Sequence, residues 1–261
     1  MNDKIEDLGD IQFNQVKHKR KKHRKKHPFI ILFVFIGVLV VLYLFLSSSY
    51  FTVKKVTVKG NSYYTKDEVK SIADSKTGQN LFFGSGIGSM KERLKKEPYF
   101  KEISVKRKLP DCITIRVKER KQAAAIAYGK EYIVIDNSGT VLRKTDVMPE
   151  IPLLTGLTVS KLETGEKVEA EEKDILNKTL KMLEVMKNGN LFFKKIDFSK
   201  MVVRAYIYDD LVVKGTPGEI KKVIDSGNLQ KLISSLMEDD IKRGTISVGG
   251  DDYISFSPEL E

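Results

Sequence analysis

The chain has 261 residues and a formal net charge of +11, but nine Lys/Arg against four Asp/Glu concentrate nearly half of that excess in residues 1–28. The rest is only mildly basic and lacks the electrostatic footprint of a nucleic-acid binder. A single cysteine, Cys112, excludes an internal disulfide, and the three histidines, His18, His23 and His27, all lie in the basic segment, so histidine-dependent triads and H-E-x-x-H zinc sites are excluded farther along.

Residues 1–28 read as a basic cytoplasmic tail. Eight cations, Lys17, Lys19, Arg20, Lys21, Lys22, Arg24, Lys25 and Lys26, stand just ahead of an apolar run. From residue 29 to 46 no charge occurs, and such a helix is roughly 27 Å long, about the thickness of a hydrocarbon core. A cleaved signal peptide has a shorter apolar region and small residues at its cleavage site, where this chain has Leu42-Tyr43-Leu44-Phe45-Leu46. The segment therefore reads as an uncleaved anchor. Lys and Arg beside a span stay on the cytoplasmic side, so the N-terminus is expected inside and the C-terminal portion outside. Holding topology and meeting anionic headgroups is sufficient work for the basic tract, which has no aromatics interleaved for stacking bases.

Beyond the span, Val56 and Val58 alternate with polar residues and predict a strand that turns at Gly60-Asn61. Thr65-Lys66-Asp67-Glu68 is a capping box opening a helix with Val69, Ile72 and Ala73 on its buried stripe. Ser89-Met90-Lys91-Glu92 reads as a second box, with Ile87, Met90 and Leu94 on one face of a helix that runs toward Pro98. Two strands follow, Ile103/Val105 and Ile113/Ile115/Val117, reversing at Pro110-Asp111, with Cys112 at a strand end. The order is βααββ.

After Lys121 the pattern changes to hairpins and longer helices. "YIVIDNSGTVL" and "VVRAYIYDDLVVKG" read as hairpins turning at Asp136 to Gly139 and at Asp209-Asp210. A helix over residues 171–187 places Ile175, Leu176, Thr179, Met182, Leu183 and Met186 on one side. Another, over residues 219–239, buries Ile220, Val223, Leu229, Leu232, Ile233 and Leu236, with a break at Ser226-Gly227-Asn228. "GTISVGGDDYISFSP" closes with two short strands. The fold class is α+β: one N-terminal transmembrane helix, a βααββ domain, and a mixed β domain with two longer helices.

Four stretches in succession, "VKKVTVKGNSYYTKDEV", "LPDCITIRVKERKQAAAI", "YIVIDNSGTVL" and "IPLLTGL", resemble the ordered signatures of the FtsQ/DivIB family of bacterial cell-division proteins. The resemblance extends over essentially the whole chain. It implies a POTRA domain at residues 51–120, an FtsQ/DivIB-type β domain at 121–257 and a short tail at 258–261. It further implies a septal, single-pass membrane scaffold without enzymatic activity, cofactor, metal, nucleic acid or small-molecule substrate. Such a scaffold brings FtsL and FtsB/DivIC to the septal peptidoglycan synthase. Two departures from the family stand out. Lys121-Gln122 replaces the proline expected after Glu119-Arg120, and Ser247 and Gly249 stand where an Asp and an Arg are usual.

The last strand is the candidate site. Tyr253, Ile254, Ser255 and Phe256 would have no later segment of the chain to pair with, and an open edge is a template for a partner strand. Resemblance to the family implies that FtsB/DivIC supplies that strand. Alternatively, Tyr253 and Phe256 close the core, although Tyr253/Ser255 and Ile254/Phe256 must point to opposite faces.

Enzyme motifs are fragmentary. Lys76-Thr77-Gly78 matches one element of penicillin-binding sites, but no serine is followed by Lys three positions later, so the triplet reads as a helix-ending turn. Gly84-Ser85-Gly86-Ile87-Gly88 lacks the Lys-Ser/Thr of a phosphate loop and reads as an approach to the Ser89 cap. The pairs Asp209-Asp210, Asp239-Asp240 and Asp251-Asp252 fit turns or a helix end. A POTRA-bearing translocation or secretion factor is the alternative function, but that reading calls for tandem modules or a membrane barrel.

Overall fold

The computed structural model describes residues 28–199 and 201–259. The basic residues 17–26, with their histidines, lie outside that range. Helix α1, Pro28–Leu46, is long and apolar enough to cross a membrane, and it forms a unit separate from the residues that begin at Ser47.

The second unit opens with β1 (Lys55–Lys59), α2 (Lys66–Ile72), α3 (Ile87–Lys95), β2 (Phe100–Lys108) and β3 (Cys112–Glu119), the expected βααββ order. β3 lies in the middle of the sheet, with β1 parallel to it on one side and β2 antiparallel on the other. Lys55, Cys112 and Lys108 therefore share one row, and the chain enters at that end and leaves at the other. Val58, Val69, Ala73, Met90, Leu94, Ile113, Ile115 and Val117 are buried. Thr65 and Glu68 form the reciprocal cap of α2.

Two sequence expectations are corrected here. Ser89 does not cap α3: the helix starts at Ile87, and left-handed Gly86 (φ 55°) takes the capping position. The preceding Ser85 is buried and donates its hydroxyl to the Leu81 carbonyl at 2.7 Å, which fixes the chain before Ser89 is reached. Nor does Gly78 end α2. The chain turns out of that helix at Asp74 (φ 47°), and Gly78 instead donates its N–H to the Val53 carbonyl at 2.8 Å.

The remaining elements are β4 (Gln122–Tyr128), β5 (Glu131–Asp136), β6 (Val141–Thr145), β7 (Leu153–Thr155), β8 (Val159–Lys161), β9 (Glu169–Ala170), α4 (Lys173–Asn188), β10 (Lys195–Ser199), β11 (Val202–Tyr206), β12 (Leu211–Gly215), α5 (Pro217–Asp225), α6 (Asn228–Glu238), β13 (Gly244–Val248) and β14 (Ile254–Ser257). All of these strands except β8 and β9 join one nine-stranded sheet, ordered β14-β13-β12-β11-β10-β7-β4-β5-β6. Parallel neighbours need long crossovers. α4 lies in the crossover from β7 to β10, and α5 and α6 in that from β12 to β13. The core gathers Leu180, Met182, Leu183, Ile220, Val223 and Leu229 of the helices with Ile126, Ile133, Ile196, Val203, Val213 and Ile246 of the strands. Gly227 (φ 75°) breaks the last helical stretch in two, and Thr216 with Glu219 caps its first half.

Val134 alternates with Ile133 and Ile135 and so faces away from that core. With Leu142 it packs on Tyr99, and Tyr64 and Ile151 join them. This is the junction between the two sheets. Tyr63 stacks on Tyr99 with ring centroids 4.1 Å apart, and Gln122 donates to the Tyr99 hydroxyl at 3.0 Å. Burial, then the neighbouring Tyr63, pushes the Tyr99 pKa up to about 12.

Candidate partner-binding edge

β13 and β14 are joined by a tight reversal in which Asp251 and Asp252 adopt positive φ and Tyr253 donates its N–H to the Gly250 carbonyl at 3.2 Å. The short polar side chain of aspartate tolerates that conformation, which accounts for the acidic pair without any catalytic role. The register sets Val248 against Ile254, Ser247 against Ser255, Ile246 against Phe256 and Thr245 against Ser257. Ile254 and Phe256 are half-buried and pack against the core, whereas Tyr253 precedes the strand and remains 62% exposed. The alternation therefore resolves in favour of Ile254/Phe256 as the inward pair. Tyr253 does not close the core.

β14 ends the sheet and pairs only with β13. Gly249 donates to the Tyr253 carbonyl at 3.0 Å. Counting from that bond in steps of two, Ser255 and Ser257 spend their main-chain groups on β13, and the N–H and C=O of Ile254 and Phe256 point outward. Among the described residues no strand lies on that side. The opposite edge of the sheet differs. Val141 of β6 donates to Glu166 and accepts from Gly165, both at 2.8 Å, so a neighbouring segment covers the start of that strand.

Gly244 allows β13 and β14 to approach. Its φ is +134°, and a Cβ there would stand 2.6 Å from the Ser257 carbonyl oxygen and 2.7 Å from the Phe256 ring. On the face away from the helices, Asp197, Arg204, Lys214, Ser247 and Ser255 form one cross-strand row. Arg204 and Lys214 stand directly opposite each other, giving this part of the face positive charge beside the edge. A Cβ on Gly249 would meet Tyr253 at an ordinary 3.6 Å, so crowding does not explain the missing side chain there. No cluster of potential metal ligands occurs among the described residues.

Residues 51–120 match the family model described as POTRA domain, FtsQ-type. Over 204 residues the chain is 30% identical to the cell division protein DivIB of Clostridium acetobutylicum, covering 76% of this chain and 80% of that one. The chain belongs to the DivIB/FtsQ family. DivIB of Clostridium botulinum (strain Hall) is 26% identical over 244 residues, or 90% of each chain. The solved extracytoplasmic domain of DivIB from Geobacillus stearothermophilus shares 17% identity at a TM-score of 0.30, over 48% of this chain and 99% of that one. The βααββ module is thus the POTRA domain of a DivIB/FtsQ protein, and α1 suits a single-pass membrane anchor.

Sequence reasoning found the last strand but not its surroundings. The pairing of β13 with β12, which leaves β14 outermost, depends on a crossover through two helices and has no local signal. The charged row beside the edge was also missed. The expected two-residue turn at Asp209-Asp210 would set Arg204 against Gly215; the observed register closes over three residues, Tyr208 to Asp210, and that one-residue shift is what brings Arg204 opposite Lys214.

Proposed function

We propose that this chain is a non-enzymatic scaffold of the division machinery. Its POTRA domain occupies residues 51–120 and its β domain residues 121–257. α1 holds it in the cell membrane with the basic tail cytoplasmic and the two domains outside, at the septum. There the edge of β14 accepts a strand of FtsB/DivIC, captured together with FtsL, and so links the pair to septal peptidoglycan synthesis. Partner identity rests on the family. The observation that carries the docking mode is the row of outward main-chain groups at Ile254 and Phe256, because strand addition draws affinity from the backbone and tolerates side-chain change at Ser247 and Gly249.

Proline at Ile254 tests this. As the first residue of an edge strand, position 254 accepts proline with little harm to the hairpin, but its outward donor is removed. Ile254→Pro should lose co-purification of the FtsL and DivIC pair in mild detergent, while Ile254→Ala, which keeps the donor, should retain most of it. A folded Ile254→Pro protein that captures the pair undiminished places the docking surface elsewhere.

A further inference from the structure

Three separate segments meet at the end of the POTRA sheet where the chain enters. Val53 donates to the Gln79 carbonyl at 2.9 Å and Leu81 donates to the Phe51 carbonyl at 2.8 Å, which ties the loop carrying Phe82 and Phe83 to residues just past the span. Lys54 donates to the Asp111 carbonyl at 2.8 Å and brings in the β2–β3 turn, with Leu109 at its tip. Arg107 donates to the Leu81 carbonyl at 2.7 Å, with its guanidinium 5.9 Å from the centre of the Phe82 ring. The rim so formed is aromatic and positive. Rings run in contact from Tyr50 through Phe51 and Phe82 to Phe83. Tyr50, Phe83 and Leu109 are 63%, 57% and 61% exposed, an unusual density of large apolar side chains left at one end of a small domain. Lys54, Arg107 and Lys108 stand among them, and Asp111 is the one acid within these segments, 3.5 Å from Lys54.

Tyr50 is four residues beyond Leu46, so the covalent chain keeps it within about 14 Å of the end of the span. Aromatic rings and cations on one surface are the combination that bilayer interfaces select: rings enter the headgroup layer and Lys/Arg meet lipid phosphate. We propose that this rim is a lipid-docking edge that seats the POTRA domain on the anionic headgroups of the leaflet it faces. The phosphate-bearing lipid surface is its ligand, and the seat fixes the domain's height and tilt above the membrane. Phe83 and Leu109 are distant from the span in sequence, so the fold of the domain, and not the flank of the anchor, brings them to this rim.

The chain contains no tryptophan, so a single introduced indole reports its own depth. Full-length Phe83→Trp, and separately Leu109→Trp on an independent segment, would be reconstituted in vesicles of phosphatidylglycerol and phosphatidylcholine with or without acyl-chain bromine. Both indoles should lose emission to the brominated lipid, while Tyr128→Trp at the far end of β4 keeps its emission. The loss should shrink in pure phosphatidylcholine and on adding Lys54→Gln with Lys108→Gln. If Phe83→Trp does not fold, Leu109→Trp alone decides. Unquenched emission in every lipid overturns the proposal and leaves the rim to a protein partner. Quenching of equal depth in phosphatidylcholine also overturns it, because the cations would then have no part.

Discussion

Arg120 binds Asp136 across the junction of the two domains, its Nη1 donating to Oδ2 at 2.8 Å, and the carboxylate is 8% exposed. Asp136 also accepts from the Ser138 and Thr140 amides and the Ser138 hydroxyl, so one side chain both shapes the β5–β6 turn and receives the residue that leaves β3. The junction is thereby continuous with a hairpin's internal geometry.

That carboxylate makes stability depend on acid. Burial alone raises its pKa, but the hydrogen bonds from Ser138, Thr140 and Arg120 outweigh it and hold the group below the usual carboxylate range. Because the folded value lies below the unfolded one, its stabilisation is complete above about pH 4 and is lost as pH falls through the folded value. Asp136→Asn should cost about 2–4 kcal/mol at neutral pH, since Arg120 is left without its partner. The gap in Tm from the unaltered protein should narrow in acid. A gap that is constant down to about pH 3 would refute the linkage.

The two faces of β3 should respond oppositely to the same charge. Ile115 is fully buried, so Ile115→Asp should unfold the POTRA domain, a loss of more than about 4 kcal/mol. Lys118 is exposed and pairs with Glu102 at 2.8 Å across the strands, and Lys118→Asp should cost about 1 kcal/mol or less. Thermal melts of both variants decide. Equal melting would mean the observed strand phase does not hold in solution.

Gly244→Ala should loosen the candidate edge selectively. The added methyl meets the Ser257 carbonyl and the Phe256 ring at a φ unsuited to L side chains, so β14 must move from β13. Amide exchange at Ser255 and Ser257 should rise by about tenfold or more, with the POTRA amides unchanged. Unaltered exchange at both serines would show that the hairpin absorbs the methyl elsewhere.

Membrane orientation can be read directly. A reporter active only outside the cytoplasm, fused after Glu261, should be active, and neutralising the eight Lys/Arg ahead of the span should invert part of the population. An inactive reporter on the unaltered chain contradicts the proposed topology.

Local signals in the sequence carried much of this fold. Thr65 and Glu68 announced α2, Gly227 announced the break between α5 and α6, and alternation placed β1, β3 and the hairpins. What escaped was either short or uniformly apolar. β7 has three residues, too few for a period, and Ala123 to Ile126 of β4 are all buried, so no alternation marks that strand. The capping box at Thr216 and Glu219 was legible but passed over. The edge position of β14 was inferred from its place in the chain. The structure supplies the physical ground, which is the parallel pairing of β12 with β13 and the absence of any further strand among the described residues.

The parallel pairing of β1 with β3 also determines how the POTRA domain bears tension. The chain comes in at Lys55 and goes out past Glu119, so a pull between anchor and β domain drags two adjacent parallel strands in opposite directions along their length. Five registered pairs, from Lys55 with Cys112 to Lys59 with Arg116, then carry the load side by side in shear. An antiparallel hairpin pulled from its open end would give way one pair at a time. The domain is therefore suited to serve as a taut mechanical link.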